Sequence, residues 1–194
     1  GNPFLESVRI ADYVREHTGP DDTIAVLGSE PEIYFYSHRH SATGYIYTYG
    51  LMEPQRYARQ MQQEMIHEIE DARPKYLISV AMAYSWLRRP DSEQAIFTWA
   101  NEYMEQNYDV DGLVNIRPKE IDYFFGHVPP PMDSLKDHIL IYKRKSLVAS
   151  WSRHSGAARA SSSFSIQRSP ETNSPAGTVL RLHPAGRTYR SRCG

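Results

Sequence analysis

Cysteine is almost missing from this chain: of 194 residues only Cys193, the second last, carries a thiol. No intrachain disulfide can form, so the fold must hold by packing and hydrogen bonding, and thiol chemistry is not indicated. No apolar run approaches the roughly 20 residues needed to cross a bilayer. The N-terminus has no basic stretch leading into an apolar core, so the chain taken by itself reads as soluble. Phosphate-cradling sequences are absent too: there is no P-loop and no set of spaced dinucleotide-binding glycines. No Ser-His-Asp order, metallopeptidase helix or paired-carboxylate pattern names a reaction. No catalytic residue, metal or cofactor is assigned on these grounds. His38-x-His40 is a histidine pair preceded by Glu30 and Glu32, but no third ligand has a recognisable spacing, and both rings can face solvent.

Lysine and acid run out together near residue 145. Residues 1–145 hold 15 basic and 22 acidic side chains, a charge of −7, whereas residues 146–194 hold seven Arg and one Glu, +6. The formal net charge of −1 hides that split. The later segment is rich in Ser, Arg, Gly and Pro and shows no sustained periodicity, so it cannot bury enough surface to offset the entropy of ordering. Two regions are expected: a folded domain over 1–145 and a disordered basic tail over 146–194. Arginines without interleaved aromatics or a scaffold do not indicate a specific nucleic acid partner.

What the first region does contain is alternation of helix and strand. Pro3 suits a first helical turn, and Phe4, Val8, Ala11 and Val14 recur at helical spacing until Gly19-Pro20-Asp21-Asp22 ends the helix. A short apolar strand, residues 23–27, stops at Gly28. Ser29, Pro31 and Glu32 then read as a capping box opening a short aromatic helix. Residues 44–49 are β-branched and aromatic and predict a strand. Residues 55–72 carry the clearest helical stripe, Ala58, Met61, Met65, Ile69 and Ala72, stopped by Arg73-Pro74. The apolar run 76–81 predicts a strand covered on both faces. Asp91 and Gln94 read as a second capping box before a helix with Ile96, Trp99 and Tyr103 inside. Strands are expected around 112–114, over 121–125 and over 138–142, the last two in an antiparallel extension at one edge. The order implies an α/β fold: a three-layer α/β/α sandwich, Rossmann-like, with a mostly parallel sheet and an antiparallel edge.

Open α/β sheets place their ligand crevice where a strand feeds a helix, which selects the turn Gly28-Ser29-Glu30-Pro31. Ser29 and Glu30 are candidate ligand-facing residues for a phosphate or a sugar hydroxyl, although Glu30 and Glu32 would repel an anion; the turn can equally be structural. Arg39 in the following polar loop is a third candidate. Tyr45, Tyr47 and Tyr49, on one face of the expected strand, complete the set; such rings stack on sugars and also fill cores. The twin arginines Arg88-Arg89 either meet phosphate or are a solvated loop.

Several segments together resemble a known family. These are Asn2-Pro3-Phe4, residues 25–31, Ile33-Tyr34-Phe35-Tyr36-Ser37, residues 41–47, residues 65–70, Ala72-Arg73-Pro74-Lys75-Tyr76 and residues 86–92. They look like the C-terminal soluble region of bacterial membrane glycosyltransferases related to the dolichyl-phosphate-mannose protein mannosyltransferases. The resemblance covers roughly 1–145. It implies an accessory, extracytoplasmic domain, membrane-associated through a membrane-embedded glycosyltransferase core that is its partner. A lipid-phosphate sugar would be the donor, and the domain would contact that headgroup or the acceptor. In such enzymes the catalytic acid lies in a loop of the membrane core, so no catalytic residue carries over and this chain is expected to be noncatalytic alone. The alternative from the residues themselves is a free-standing α/β binding module for a small sugar or anionic ligand.

Overall fold

The computed structural model describes residues 3–130 and 135–146. The expected disordered tail, beyond Ser146, lies outside the described residues. The elements follow as α1 (Phe4–Glu16), β1 (Thr23–Leu27), α2 (Glu32–Ser37), β2 (His40–Ser41), α3 (Tyr49–Met52), α4 (Ala58–Ala72), β3 (Tyr76–Ala81), α5 (Ala83–Trp86), α6 (Ala95–Asn107), β4 (Tyr108–Arg117), β5 (Glu120–Phe125) and β6 (Asp137–Arg144). Among the described residues no helix is long and apolar enough to cross a membrane.

The six strands form one open sheet in the order β2-β1-β3-β6-β4-β5. β1 runs parallel to β2 and to β3, while β3–β6, β6–β4 and β4–β5 are antiparallel. Four of the six strands, β2, β1, β3 and β4, therefore point the same way. The fold is mixed α/β, and the antiparallel extension is the block β6-β4-β5, with β6 innermost and β5 at the edge.

Alternation along β1 explains its unbroken apolar run. Ile24 and Val26 join a cluster with Ile10 and Val14 of α1 and Ile33 of α2; Ala25 and Leu27 join another with Leu51, Met65, Ile69 and Ile96. A strand with helices packed against both faces has no polar side to show. Each fully buried Ile or Leu contributes about 1.5–3 kcal/mol relative to exposure.

Five local expectations need correction. Residues 44–48 form no strand, and three of their five backbone donors are taken by side chains. The Gly44 N–H donates to Glu68 Oε2 at 3.0 Å, the Tyr45 N–H to Thr43 Oγ1 at 3.1 Å, and the Thr48 N–H to Ser29 Oγ at 3.0 Å. Ser29 does not cap α2, since its hydroxyl is engaged with Thr48; the helix opens at Glu32 with no side-chain cap. Asp91 caps nothing either: α6 starts at Ala95, and the Gln94 side chain bonds Arg88 and Ser92 instead. The buried face of α1 is Glu6, Ser7, Ile10, Ala11 and Val14, with Phe4 48% exposed, because Ser7 turns inward to donate to Glu32 Oε1 at 3.3 Å. Finally α4 starts at Ala58, after a turn in which Gln55 Oε1 accepts the Tyr57 N–H at 2.9 Å.

One polar residue sits in the α4 stripe. Gln62 is fully buried, donates to Leu51 O and Glu93 O at 3.0 Å each, and accepts the Ile96 N–H at 3.0 Å. It fastens α3, α4 and the start of α6 in one place. At the other face, Tyr13 and the fully buried Tyr76 both donate to Asp111 Oδ2 at 2.8 Å. Burial and that carboxylate push the Tyr13 phenol up to about 12 and raise Tyr76 as well.

Candidate functional site

Two parallel strands end side by side, Leu27 of β1 opposite Ser79 of β3. The chain leaves β1 through Gly28-Ser29-Glu30 and leaves β3 through Met82 into α5. Between the two exits lies a crevice of about 460 Å³, lined by Pro3, Glu30, Tyr49, Tyr84, Ser85 and Leu87, among others. This is the position at which open α/β sheets take ligands, outside the carboxyl ends of the strands.

Glu30 is only 2% exposed. Its Oε2 accepts the Ser85 hydroxyl at 2.8 Å, and Ser85 Oγ in turn accepts the Ser29 N–H at 3.0 Å. The Thr48 hydroxyl donates to Ser85 O at 3.1 Å, which leaves the Ser29 hydroxyl to donate to Thr48 Oγ1 at 2.9 Å. Ser29, Thr48 and Ser85 thus hold the floor of the crevice from three separate segments. Gly28 is required for this closeness: a Cβ there would stand 2.3 Å from Glu30 Oε2 and 2.6 Å from Ser85 Oγ.

Burial is the main reason that the Glu30 carboxyl is pushed up to about 7, from an ordinary value near 4.5. The Ser85 hydroxyl offsets part of this, and the charge of Glu32 adds to it. Among the described residues no lysine or arginine lines the crevice, and no ion pair includes Glu30. A buried carboxyl shifted upward in a cleft, without a counter-cation, marks the crevice as a candidate functional site.

The walls are aromatic and apolar. Tyr49 is 37% exposed, Tyr84 69% and Leu87 50%. Leu87 ends α5 with φ 51° and ψ 40°, a left-handed conformation that bulky side chains rarely adopt. On the other side of α5 a second crevice of about 320 Å³ is floored by Leu27, Trp86, Ile96, Ala100 and Met104, with Arg88 among its lining residues. The Arg88 guanidinium lies 4.3 Å from the Phe97 ring centre and bonds Gln94, so the first of the twin arginines is held at the surface by neighbours of its own chain.

The six residues expected to face a ligand separate into two groups. Glu30 and Tyr49 line the Glu30 crevice, Ser29 is buried in its floor, and Tyr47, 53% exposed, has its ring 6.0 Å from that of Tyr49. Tyr45 goes elsewhere, donating its hydroxyl to Glu64 Oε2 at 2.7 Å. Arg39 lies at the opposite end of β1, where His40 pairs with Thr23. There it donates to Thr18 Oγ1 and O at 2.7 Å, to Arg15 O at 3.0 Å and to His38 O at 3.0 Å, tying the α1–β1 turn to the end of α2. His38 ends α2 in a left-handed conformation, φ 53°. Among the described residues no three His, Cys, Asp or Glu side chains gather as metal ligands.

Ser85, Thr48, Tyr84 and Leu87 belong to the site and are not singled out by spacing or motif. Ser85 follows the apolar run of β3 by four residues, so placing β3 beside β1 is the signal that finds it. Comparison of the chain with models of protein families, with curated proteins and with solved structures found no match.

Proposed function

We propose that residues 1–145 are the accessory, extracytoplasmic lobe of a lipid-linked-sugar-dependent membrane glycosyltransferase, a three-layer, Rossmann-like unit with no catalytic group of its own. The resemblance of its sequence segments supports this reading, and one observation carries it. The crevice at the carboxyl ends of β1 and β3 joins a buried acid, Glu30, to a rim of exposed Tyr47, Tyr49, Tyr84 and Leu87. Large apolar and aromatic side chains left in water around a cleft are those that a partner surface, a headgroup or a sugar ring covers. In this reading the rim faces the membrane-embedded core that holds the chemistry, and the crevice meets the acceptor or the sugar part of the donor headgroup.

A second reading, a free-standing module for a small sugar, is favoured by the same crevice, whose aromatic walls and polar floor are those of small-ligand sites. The carboxyl of Glu30 speaks against its anionic variant. Genomic sequence upstream of the codon for Gly1 separates the two: in-frame hydrophobic spans support the accessory lobe, and a start codon with a ribosome site supports the module. Purified chain incubated with a polyprenyl-phosphate sugar and acceptors is expected to form no product, and sugar transfer by it would overturn the accessory reading.

A further inference from the structure

The polar floor of the crevice is one-sided in charge. Among the described residues Glu30 is the one carboxylate that lines it, and neither Lys nor Arg does. Glu32, at the start of α2, adds a second negative charge close enough to influence Glu30. Glu30 Oε2 accepts the Ser85 hydroxyl, the Ser29 backbone also favours the carboxylate, and neither partner carries a charge. An ionised carboxylate withdrawn from water without a counterion is costly, and a ligand cation removes that cost. The titratable groups that face it are Glu32 from α2, Tyr49 from α3 and Tyr84 from α5, and the two phenol rings offer their faces to the crevice. Such faces attract an ammonium group and also stack on the C–H surface of a sugar or polyol.

We infer that the Glu30 crevice selects a ligand bearing a protonated primary amine on a hydroxylated body, an amino sugar or amino polyol, and rejects its phosphorylated counterpart. This rests on the reading of the crevice as the ligand-facing part of the chain. The ammonium N–H groups donate to the Glu30 carboxylate, Ser85 keeps its bond to Oε2, and Tyr84 covers the ligand body. Binding ionises Glu30, so its proton is released to solvent.

Three probes of one skeleton test the inference on the full chain by titration calorimetry: glucamine, sorbitol and sorbitol 6-phosphate, each at pH 6 and pH 8. Glucamine stays protonated across that range, as aliphatic amines do. It is expected to bind at least tenfold more tightly than sorbitol at pH 8. Its own affinity should rise about tenfold from pH 6 to pH 8, as the ionised fraction of a carboxyl titrating near 7 goes from roughly one in eleven to ten in eleven. Two buffers of different ionisation enthalpy should report proton release at pH 6. Glu30→Gln should erase the preference for glucamine and the pH dependence, with folding checked by its melting transition. Tyr84→Ala, at a 69% exposed position where folding is not at stake, should weaken glucamine severalfold. Equal, pH-independent binding of sorbitol and glucamine, or tightest binding of the phosphate, overturns the inference and leaves the crevice as a ligand site. No binding of any probe overturns the inference and also withdraws the crevice's support for the ligand-facing reading.

Discussion

Glu30→Gln should stabilise the protein, and the gain should depend on pH. The folded chain holds the Glu30 proton until about 7, whereas an unfolded glutamate releases it near 4.5. Between those values the folded state binds one more proton than the unfolded state, so stability falls as pH rises through the window and levels off above it. At ~1.4 kcal/mol per pH unit, the separation between about 4.5 and about 7 amounts to about 3 kcal/mol. Glutamine is never ionised, can still accept the Ser85 hydroxyl, and has nearly the same shape. Urea unfolding of both proteins, followed by far-UV circular dichroism at pH 4.5 and pH 8.5, isolates the effect because every other titrating group cancels in the difference. The stability advantage of the variant is expected to grow by about 3 kcal/mol toward the higher pH. A difference that stays constant across the range would refute the claim that Glu30 is buried without a counter-cation.

Three further outcomes follow from the packing. Gln62→Leu strands the Leu51 and Glu93 carbonyls and the Ile96 N–H, and should cost about 3 kcal/mol or more, read from the urea midpoint. Gly28→Ala drives a Cβ into Glu30 and Ser85 and should cost about 2 kcal/mol in the same assay, while parting that pair. Asp111→Ala leaves the hydroxyl of the fully buried Tyr76 without its acceptor and should cost about 2 kcal/mol. Adding Tyr76→Phe to it should recover part of that loss, measured as a double-mutant cycle.

The fold was legible where one strong local signal had no competitor. The apolar runs of β1 and β3 and the period of α4 needed no tertiary knowledge, because a doubly covered strand and an amphipathic helix each write their own pattern. Residues 44–48 were misread for an equally physical reason: Tyr, Ile and Thr in alternation are the composition of a strand, yet Glu68, Thr43 and Ser29 consume three of the five backbone donors. The same kind of competition undid the capping boxes. Ser29 has the spacing to cap α2, but Thr48, nineteen residues on, holds its hydroxyl. The location of the candidate crevice was legible in Ser29 and Glu30 because a strand running into a helix marks such a crevice. Its chemistry was not, since Ser85 lies 55 residues from Glu30 and nothing local announces their hydrogen bond. Arg39, a candidate ligand-facing residue in a polar loop, clamps the far end of β1 through backbone carbonyls, partners that carry no side-chain signature.

The most direct measurement is the titration of the Glu30 carboxyl carbon by carbon-13 NMR, with the resonance assigned by its loss in Glu30→Gln. In the free chain the midpoint is expected near 7, and saturating glucamine should pull it down by at least one pH unit, as a preference of about tenfold or more for the ionised form requires. A midpoint near 4.5 that glucamine leaves unmoved would contradict both the buried, uncompensated acid and its place as the point where this chain meets a ligand.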